Sequence, residues 1–361
     1  MQHFRETRGL LGLATILDNA VVHLSGWVAP LEPPSIVDLE VAMVAGGNVT
    51  VVPAAQMEIA RDKSPDVAAA HPLLHDGDRA RFYVSILPGG GGGRFVDHLV
   101  VVTPLFADGS RGVPLANLIA PKLPVPSEEA VVAVGGGMQV GYEIFCQLLV
   151  RAGLTRDMRV LDVGCGLGRM AYPLAYFLSP KASFCGFDVM PDVIAMAQRA
   201  FAGRQRFRFD HVDIFNTRYN PGGTLQSDAF QFPYADKSFD LLYLSSVFTH
   251  MLDREVEHYL DEFARVLVPG GRAFVTCFLL NPESEALIAA GKSTQNQIHP
   301  FGAAKVVDPK VPEASIGFPE TWMQQQIAKR GFELLAQYPG SWCGRARWIS
   351  YQDFMVLERT R

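Results

Sequence analysis

Hydrophobic and polar positions follow two different textures along the chain. Up to about residue 125 the apolar residues come in short runs rich in Val, Ile and aromatics, at 13–17, 21–28, 36–44, 49–52, 81–87 and 98–103. Runs of that length and composition predict strands. Turn signals such as Gly46-Gly47-Asn48 and Asp108-Gly109 separate them, and only 54–60 suggests a short helical turn. No long helical period appears, so this part reads as a small antiparallel sandwich. The stretch 118–128, with Pro121, Pro124 and Pro126, reads as a linker.

Beyond it, strand-like and helix-like runs alternate. Strands are expected at 160–163, 183–187, 206–211, 239–244, 272–278, 333–338 and 352–357. Helices are expected at 140–151, 170–178, 192–201, 255–267 and 320–330. Such repetition predicts an α/β fold with a doubly wound parallel sheet covered on both faces. The domains implied are a smaller all-β, sandwich-like domain over 1–125 and the α/β domain over 126–361.

Composition narrows the class. A chain of 361 residues with 48% hydrophobic and 19% charged residues can bury two cores. The net charge of -5 gives no bulk pull toward nucleic acid, which argues against a broad basic binding face and leaves a local patch open. Cys146, Cys165, Cys185, Cys277 and Cys343 are scattered, with no metal-ligand spacing, and read as reduced core residues of a cytoplasmic protein. The apolar run 10–17 follows Arg5 and Arg8 but ends at Asp18 and Asn19, so a strand is expected there rather than a leader. No run reaches transmembrane length. The five-glycine run 89–93 lacks the Lys-Ser/Thr of a phosphate loop and reads as a hairpin connection.

Candidate chemistry begins at Asp162-x-Gly164-x-Gly166-x-Gly168, where a strand runs into a glycine turn and then a helix. Alternate glycines let the backbone approach a bulky ligand at the sheet's carboxyl edge. A dinucleotide turn wants glycine at the third position after Gly166, and Arg169 stands there. Asp188 ends the next strand, twenty residues after Gly168. Its two carboxylate oxygens can accept from both hydroxyls of a ribose, or the side chain simply caps the helix that follows. Two further segments, Phe239 to Met251 and the Pro269-Gly270-Gly271 turn, complete the series.

This ordered set across 159–276 resembles the class I S-adenosylmethionine (SAM) methyltransferases. The resemblance implies a seven-stranded sheet with one antiparallel strand near an edge. It implies SAM as cofactor and S-adenosylhomocysteine as product. It also implies a cofactor site of Asp162, Gly164, Cys165, Gly166, Gly168, Asp188, Val189, Asp213, Ile214 and Ser245, with Asp228 competing with Asp213 as the acid facing the adenine. Wording such as Phe232-Pro-Tyr and Ser246-Val-Phe-Thr-His-Met251 is similar to bacterial methyltransferases of glycan pathways, some of which carry a β-rich domain first.

An alcohol acceptor benefits from a base near its proton. His250, just past a central strand, is the first candidate, with capping or packing at the start of the next helix an equal alternative; His299, in the loop after the fifth strand, is a second and weaker candidate. Arg218, Tyr219 and Asn220 lie in a loop longer than a tight connection needs and are candidates for binding a polar acceptor. Arg345, in the stretch Ser341 to Trp348, is a candidate for a phosphate or carboxylate, with edge packing as the plain alternative. Gly135–Gly137, Met138 and Tyr142 can close over the cofactor. His211 and Asp213 alone are too few for a metal site. The expected activity is O-methylation of a sugar, nucleotide-sugar or glycan-linked group by this enzyme. The alternatives are N- or C-methylation of a non-sugar small molecule, or a binding scaffold on a SAM fold. The partner is a small-molecule or glycan-precursor acceptor; the oligomeric state stays open, a homodimer included.

Overall fold

The computed structural model describes residues 4–16, 21–87 and 95–360. The glycine run 89–93 and the end of the strand expected at 13–17 lie outside them. The chain divides into two compact units, 1–157 with 168–182, and 158–167 with 183–361.

In the first unit one sheet pairs Thr7–Ile16, Val22–Pro30, Arg81–Ile86 and Met57–Asp62, antiparallel throughout. A six-stranded sheet is built on Ile36–Ala45 and His98–Phe106. Val22, Leu24, Phe82 and Val84 of the first share a core with Val41, Met43, Val100 and Val102 of the second. Successive strand residues face opposite ways, so each sheet offers one apolar face and the two faces meet. Met57–Asp62 was expected as part of a turn. It is an edge strand exposed along nearly its whole length, so no buried face imprints alternation on its sequence. The expected linker instead overlaps the strand Leu115–Ile119 and runs to the helix Glu128–Ala133, which Ser127 caps by accepting from the Ala130 N–H at 3.2 Å. Helices Gln139–Val150 and Ala171–Phe177 group with this unit rather than with the sheet that follows.

The second unit is built on β1 (Arg159–Val163), β2 (Ser183–Asp188), β3 (Phe207–His211), β4 (Phe239–Leu244), β5 (Leu267–Cys277), β6 (Phe332–Tyr338) and β7 (Asp353–Arg359). They form one sheet in the order β3-β2-β1-β4-β5-β7-β6. The first five are parallel; β7 is antiparallel to both β5 and β6. Val160, Leu161 and Val163 of β1 and Leu241 to Leu244 of β4 are all fully buried, as strands at the centre of a parallel sheet must be. The order reverses between β1 and β4, so their carboxyl ends open a crevice where such sheets place ligands.

Helix Asp253–Val266 buries Val256, Tyr259, Leu260, Phe263 and Val266, one stripe at three- and four-residue spacing. Its entry is fixed by Glu255, whose carboxylate accepts from the Leu252 N–H at 2.5 Å. Between β5 and β6 the chain adds a small sheet, Leu279–Leu280, His299–Phe301, Ala304–Val306 and Ile316–Pro319, that was not expected. Among the described residues, no helix is long and apolar enough to cross a membrane.

Candidate active site

The glycine turn after β1 is held from β2. The Gly164 and Cys165 N–H groups both donate to the Phe187 carbonyl, at 2.9 and 3.0 Å, and the Gly166 N–H donates to Asp188 Oδ2 at 2.7 Å. Gly164 and Gly166 take φ of +77° and +51°, the left-handed region that favours glycine. Their surroundings differ. A Cβ on Gly164 would lie 2.4 Å from Val247 Cγ2, whereas one on Gly166 would meet nothing within 4 Å. Gly168, at φ +72°, opens the segment that belongs to the first unit. Asp162 is fully buried under the turn and accepts from Tyr243 Oη at 2.9 Å, so it braces β1 against β4. Burial raises the Cys165 thiol well above its ordinary range, which keeps it protonated and unreactive.

Asp188 is buried, and its second oxygen accepts from the Met190 N–H at 3.0 Å. Burial raises its pKa while the backbone N–H groups of Met190 and Gly166 oppose the rise. The carboxylate has about four acceptor sites and the N–H groups of Met190, Gly166 and Val189 draw on three, so the group that fixes the turn can still accept from a ligand. Val189 packs partly buried on the core and its carbonyl faces His211 Nε2 at 3.2 Å.

Past β3, Asp213 closes the long loop on itself. It accepts from Thr224 Oγ1 at 2.7 Å and from Asn220 Nδ2 at 3.2 Å, and these hydrogen bonds hold its pKa below the ordinary value. Ile214 lies in the core at 2% exposure, whereas Asp228 is exposed. Asn220 Nδ2 also donates to the Ile214 carbonyl at 3.0 Å. Its amide therefore shapes the loop, contrary to the expectation that it holds an acceptor.

His250 sits in a short turn, Phe248–His250, beyond β4. Its Nδ1 lies 2.8 Å from the Glu313 carbonyl and its Nε2 lies 3.4 Å from Tyr219 Oη. A carbonyl only accepts, so Nδ1 carries the proton and Nε2 presents a lone pair. Burial, and then the Arg218 charge, hold the imidazole below its ordinary pKa. Arg218 itself stacks its guanidinium 5.2 Å from the Tyr219 ring centre. Glu313 is buried and accepts from the Thr217 N–H at 3.0 Å and from Thr217 Oγ1, which ties the loop to the carbonyl that orients His250. Two candidates from separate parts of the sequence, His250 and Tyr219, thus meet.

The methyltransferase domain family matches residues 161–275. A 27-O-demethylrifamycin SV methyltransferase from Amycolatopsis mediterranei is 33% identical over 133 residues, 36% of this chain and 42% of that protein. Residues 161–275 form a class I SAM-dependent methyltransferase domain, with SAM as its cofactor. O-methyltransferase rstn1 of Aspergillus nomiae is 32% identical over 138 residues, 37% of this chain and 54% of its own length. The chain thus spans about half the length of the curated relatives it matches. A solved SAM-dependent methyltransferase from Methanosarcina mazei is similar over 58% of this chain and 96% of that one, at 20% identity and a TM-score of 0.41.

Around the methyltransferase core, other expected residues fall elsewhere. His299 is exposed on the outermost strand of the small sheet, and no hydrogen bond joins it to His250 or Tyr219. Arg345 is buried with its guanidinium on Asp353 Oδ1 at 2.7 Å and Glu283 Oε2 at 2.9 Å. It cannot serve an anionic acceptor, because its charge is already matched inside the fold. In the first unit, Arg169 donates to the Gly135 carbonyl at 2.5 Å and Tyr142 is buried, its phenol pushed up to about 12.

One cluster went unforeseen. Ser245 is half-buried at the end of β4, and its neighbour Ser246 adopts φ +63°, a strained backbone for a non-glycine residue. The Ser246 N–H donates to Thr276 Oγ1 at 2.8 Å, Thr276 donates to Gln352 Oε1 at 2.6 Å, and Gln352 Nε2 donates to Ser246 Oγ at 2.9 Å. This closed ring over the ends of β4, β5 and β7 fixes the start of the segment that carries His250. Polar residues at three strand ends were the only signal in the sequence.

The glycine turn yields a paired prediction. Gly164→Ala must fit a methyl group against Val247 at positive φ, and is expected to cost about 1–3 kcal/mol of stability. Gly166→Ala meets no neighbour but still carries the cost of a left-handed backbone, about 1–2 kcal/mol; it should lose less stability than Gly164→Ala yet bind SAM at least about tenfold more weakly, because its methyl would crowd a ligand seated on the turn. Thermal unfolding and calorimetric SAM titration of both variants check this. Equal SAM affinity in Gly166→Ala and the wild type would place the cofactor away from the turn.

Proposed function

We propose that the protein is an O-methyltransferase acting on an uncharged, hydroxyl-bearing small molecule, with a sugar or sugar-linked group as the finer reading. The observation that carries it is His250: a neutral imidazole with a fixed tautomer, its Nε2 lone pair held by a long hydrogen bond of 3.4 Å from the Tyr219 phenol that an acceptor hydroxyl can replace, at the carboxyl edge of the sheet. Bound SAM supplies an activated methyl and its own leaving group. What the chain must add is alignment, exclusion of water and a place for the hydroxyl proton. Asp188 and the backbone of Gly164 to Gly166 are the groups suited to hold the cofactor. The space over Gly166 and the spare acceptor site of Asp188 support that fit. Asp213 at the end of β3 remains the choice for the adenine side, with Asp228 behind it.

In this reading Asp188 and the glycine turn would hold SAM, which would supply the methyl group, and Nε2 of His250 would take the proton of an acceptor hydroxyl that displaces the Tyr219 phenol from it. Tyr219 holds the ring on one side and the Glu313 carbonyl on the other. Two relatives, the 27-O-demethylrifamycin SV methyltransferase and the fungal O-methyltransferase, are named for transfer to oxygen, which favours oxygen as the methylated atom. The β-rich residues 1–125 are proposed as an accessory domain, and the five cysteines, none joined by a disulfide, suit a cytoplasmic protein.

The test is calorimetric titration of SAM into the wild type and Asp188→Ala, followed by labelled-methyl transfer to a panel of hydroxylated and amine acceptors. Affinity should fall about tenfold or more in the variant, since a buried charged acceptor is lost. Unchanged affinity, or transfer to amines alone, would overturn the assignment.

A further inference from the structure

A hydrogen-bond chain beside His250 runs in one direction only. Thr294 Oγ1 donates to the Trp342 carbonyl at 2.9 Å, so the contact of 3.0 Å between Thr294 Oγ1 and Tyr351 Oη has the tyrosine as donor. Tyr351 Oη in turn accepts from Gln295 Nε2 at 3.0 Å. Gln295 Oε1 accepts from Ser315 Oγ at 2.9 Å, and Ser315 Oγ accepts from Gln297 Nε2, also at 2.9 Å. Each link fixes the next, and the series ends at Gln297 Oε1. That oxygen is enclosed, in a side chain 1% exposed, and meets no donor among the described residues.

Buried acceptors without donors are rare in folded proteins and call for a specific cause. Here a second one lies nearby. Thr249 Oγ1, also 1% exposed and adjacent to His250, has no partner among the described residues. Gln297 is tied through Ser315 to the segments that pack on the turn carrying Thr249: Ser315 joins Pro312–Ala314 to Ile316–Pro319, and both rest on Phe248–His250. Asn296 and Ile298, on either side of Gln297, are exposed, so the inward carboxamide lies one residue beneath the surface. The side chains of the chain are all uncharged.

We propose that Gln297 orients the methyl acceptor: when Asn296 and Ile298 shift aside, its otherwise enclosed Oε1 accepts from an uncharged hydroxyl next to the one that His250 deprotonates. This rests on the methyl-transfer reading and sharpens it, because it requires a neutral diol or polyol. A carboxylate offers no donor to that oxygen.

Three measurements on the full chain test it. Gln297→Met removes the orphaned acceptor and should unfold at the wild-type temperature or above, with SAM affinity unchanged. Ser315→Ala strands both glutamines and should unfold at a lower temperature. With S-adenosylhomocysteine present, methyl glucopyranoside or cyclohexane-1,2-diol should bind the wild type about tenfold or more tightly than Gln297→Met. Binding of the first alone marks a sugar, and of both a general diol. A fall in unfolding temperature for Gln297→Met equal to that for Ser315→Ala would overturn the proposal, as would equal binding to both proteins or binding of neither probe. Failure of the wild type to bind SAM would instead count against methyl transfer, and the unfolding comparison would still decide the state of Gln297.

Discussion

Arg345→Ala is expected to lower the stability of the second unit by about 3–5 kcal/mol, the cost of leaving a buried charge without its partner. The charge left behind is Asp353, which is 2% exposed at the head of β7. Its carboxylate gathers the Leu279 N–H at 2.9 Å, the Gly340 N–H at 2.8 Å and Trp342 Nε1 at 2.6 Å, besides Arg345. These bonds pin the loop before β7 to the end of β5. Removing Asp353 as well should not rescue the variant, because three N–H donors would then lose their acceptor. Urea unfolding followed through tryptophan fluorescence reads the change, with the fully buried Trp342 as a reporter inside the cluster. A variant with an unaltered midpoint and a selective loss of acceptor binding would return Arg345 to the substrate site.

The contrast between Arg345 and His250 shows which parts of the site the sequence could carry. Apart from Arg159, Asp162 and Asp240, β1 and β4 are apolar and end in polar turns, as burial on both faces of the sheet requires. A histidine just beyond β4 must therefore stand at the ligand edge, wherever its ring points. Arg345 stands near two tryptophans, which suggests a ligand pocket. The acid that claims it lies eight residues on at the start of a strand, and nothing local marks that acid as buried.

The same limit hides the Glu313 carbonyl, because a backbone oxygen leaves no trace in residue type. It also hides the ring of Ser246, Thr276 and Gln352, assembled from three strand ends that only the sheet order brings together. The small sheet between β5 and β6 was illegible for a different reason: its strands run two to four residues, too short for any period to declare itself. The Gln297 chain depends on that sheet, since Ser315 and Gln297 meet only through its folding.

His250→Ala should slow methyl transfer to a hydroxyl acceptor by about 10²–10⁴-fold, the usual contribution of a positioned base. SAM affinity should hardly change, which separates loss of the base from loss of the cofactor site. The pH dependence follows from the direction of the shift. The ring titrates below the ordinary 6.5 because burial, and then Arg218, disfavour its charged form. The lone pair on Nε2 is therefore available throughout neutral pH. Activity should be flat there and fall only on an acidic limb below 6.5.

Arg218→Ala removes one cause of the depression and should move that limb toward 6.5, leaving the base itself intact. Stability carries the same sign: between the folded value and 6.5 the unfolded chain binds more protons, so acidification through that window destabilises the wild type and spares His250→Ala. Ring-proton NMR titration, with the His250 signal identified by its absence from His250→Ala, measures the value without any acceptor. A ring titrating at or above 6.5 would contradict the burial argument. Full transfer activity in His250→Ala would remove the residue from catalysis and move the search for a base to the loop that carries Tyr219.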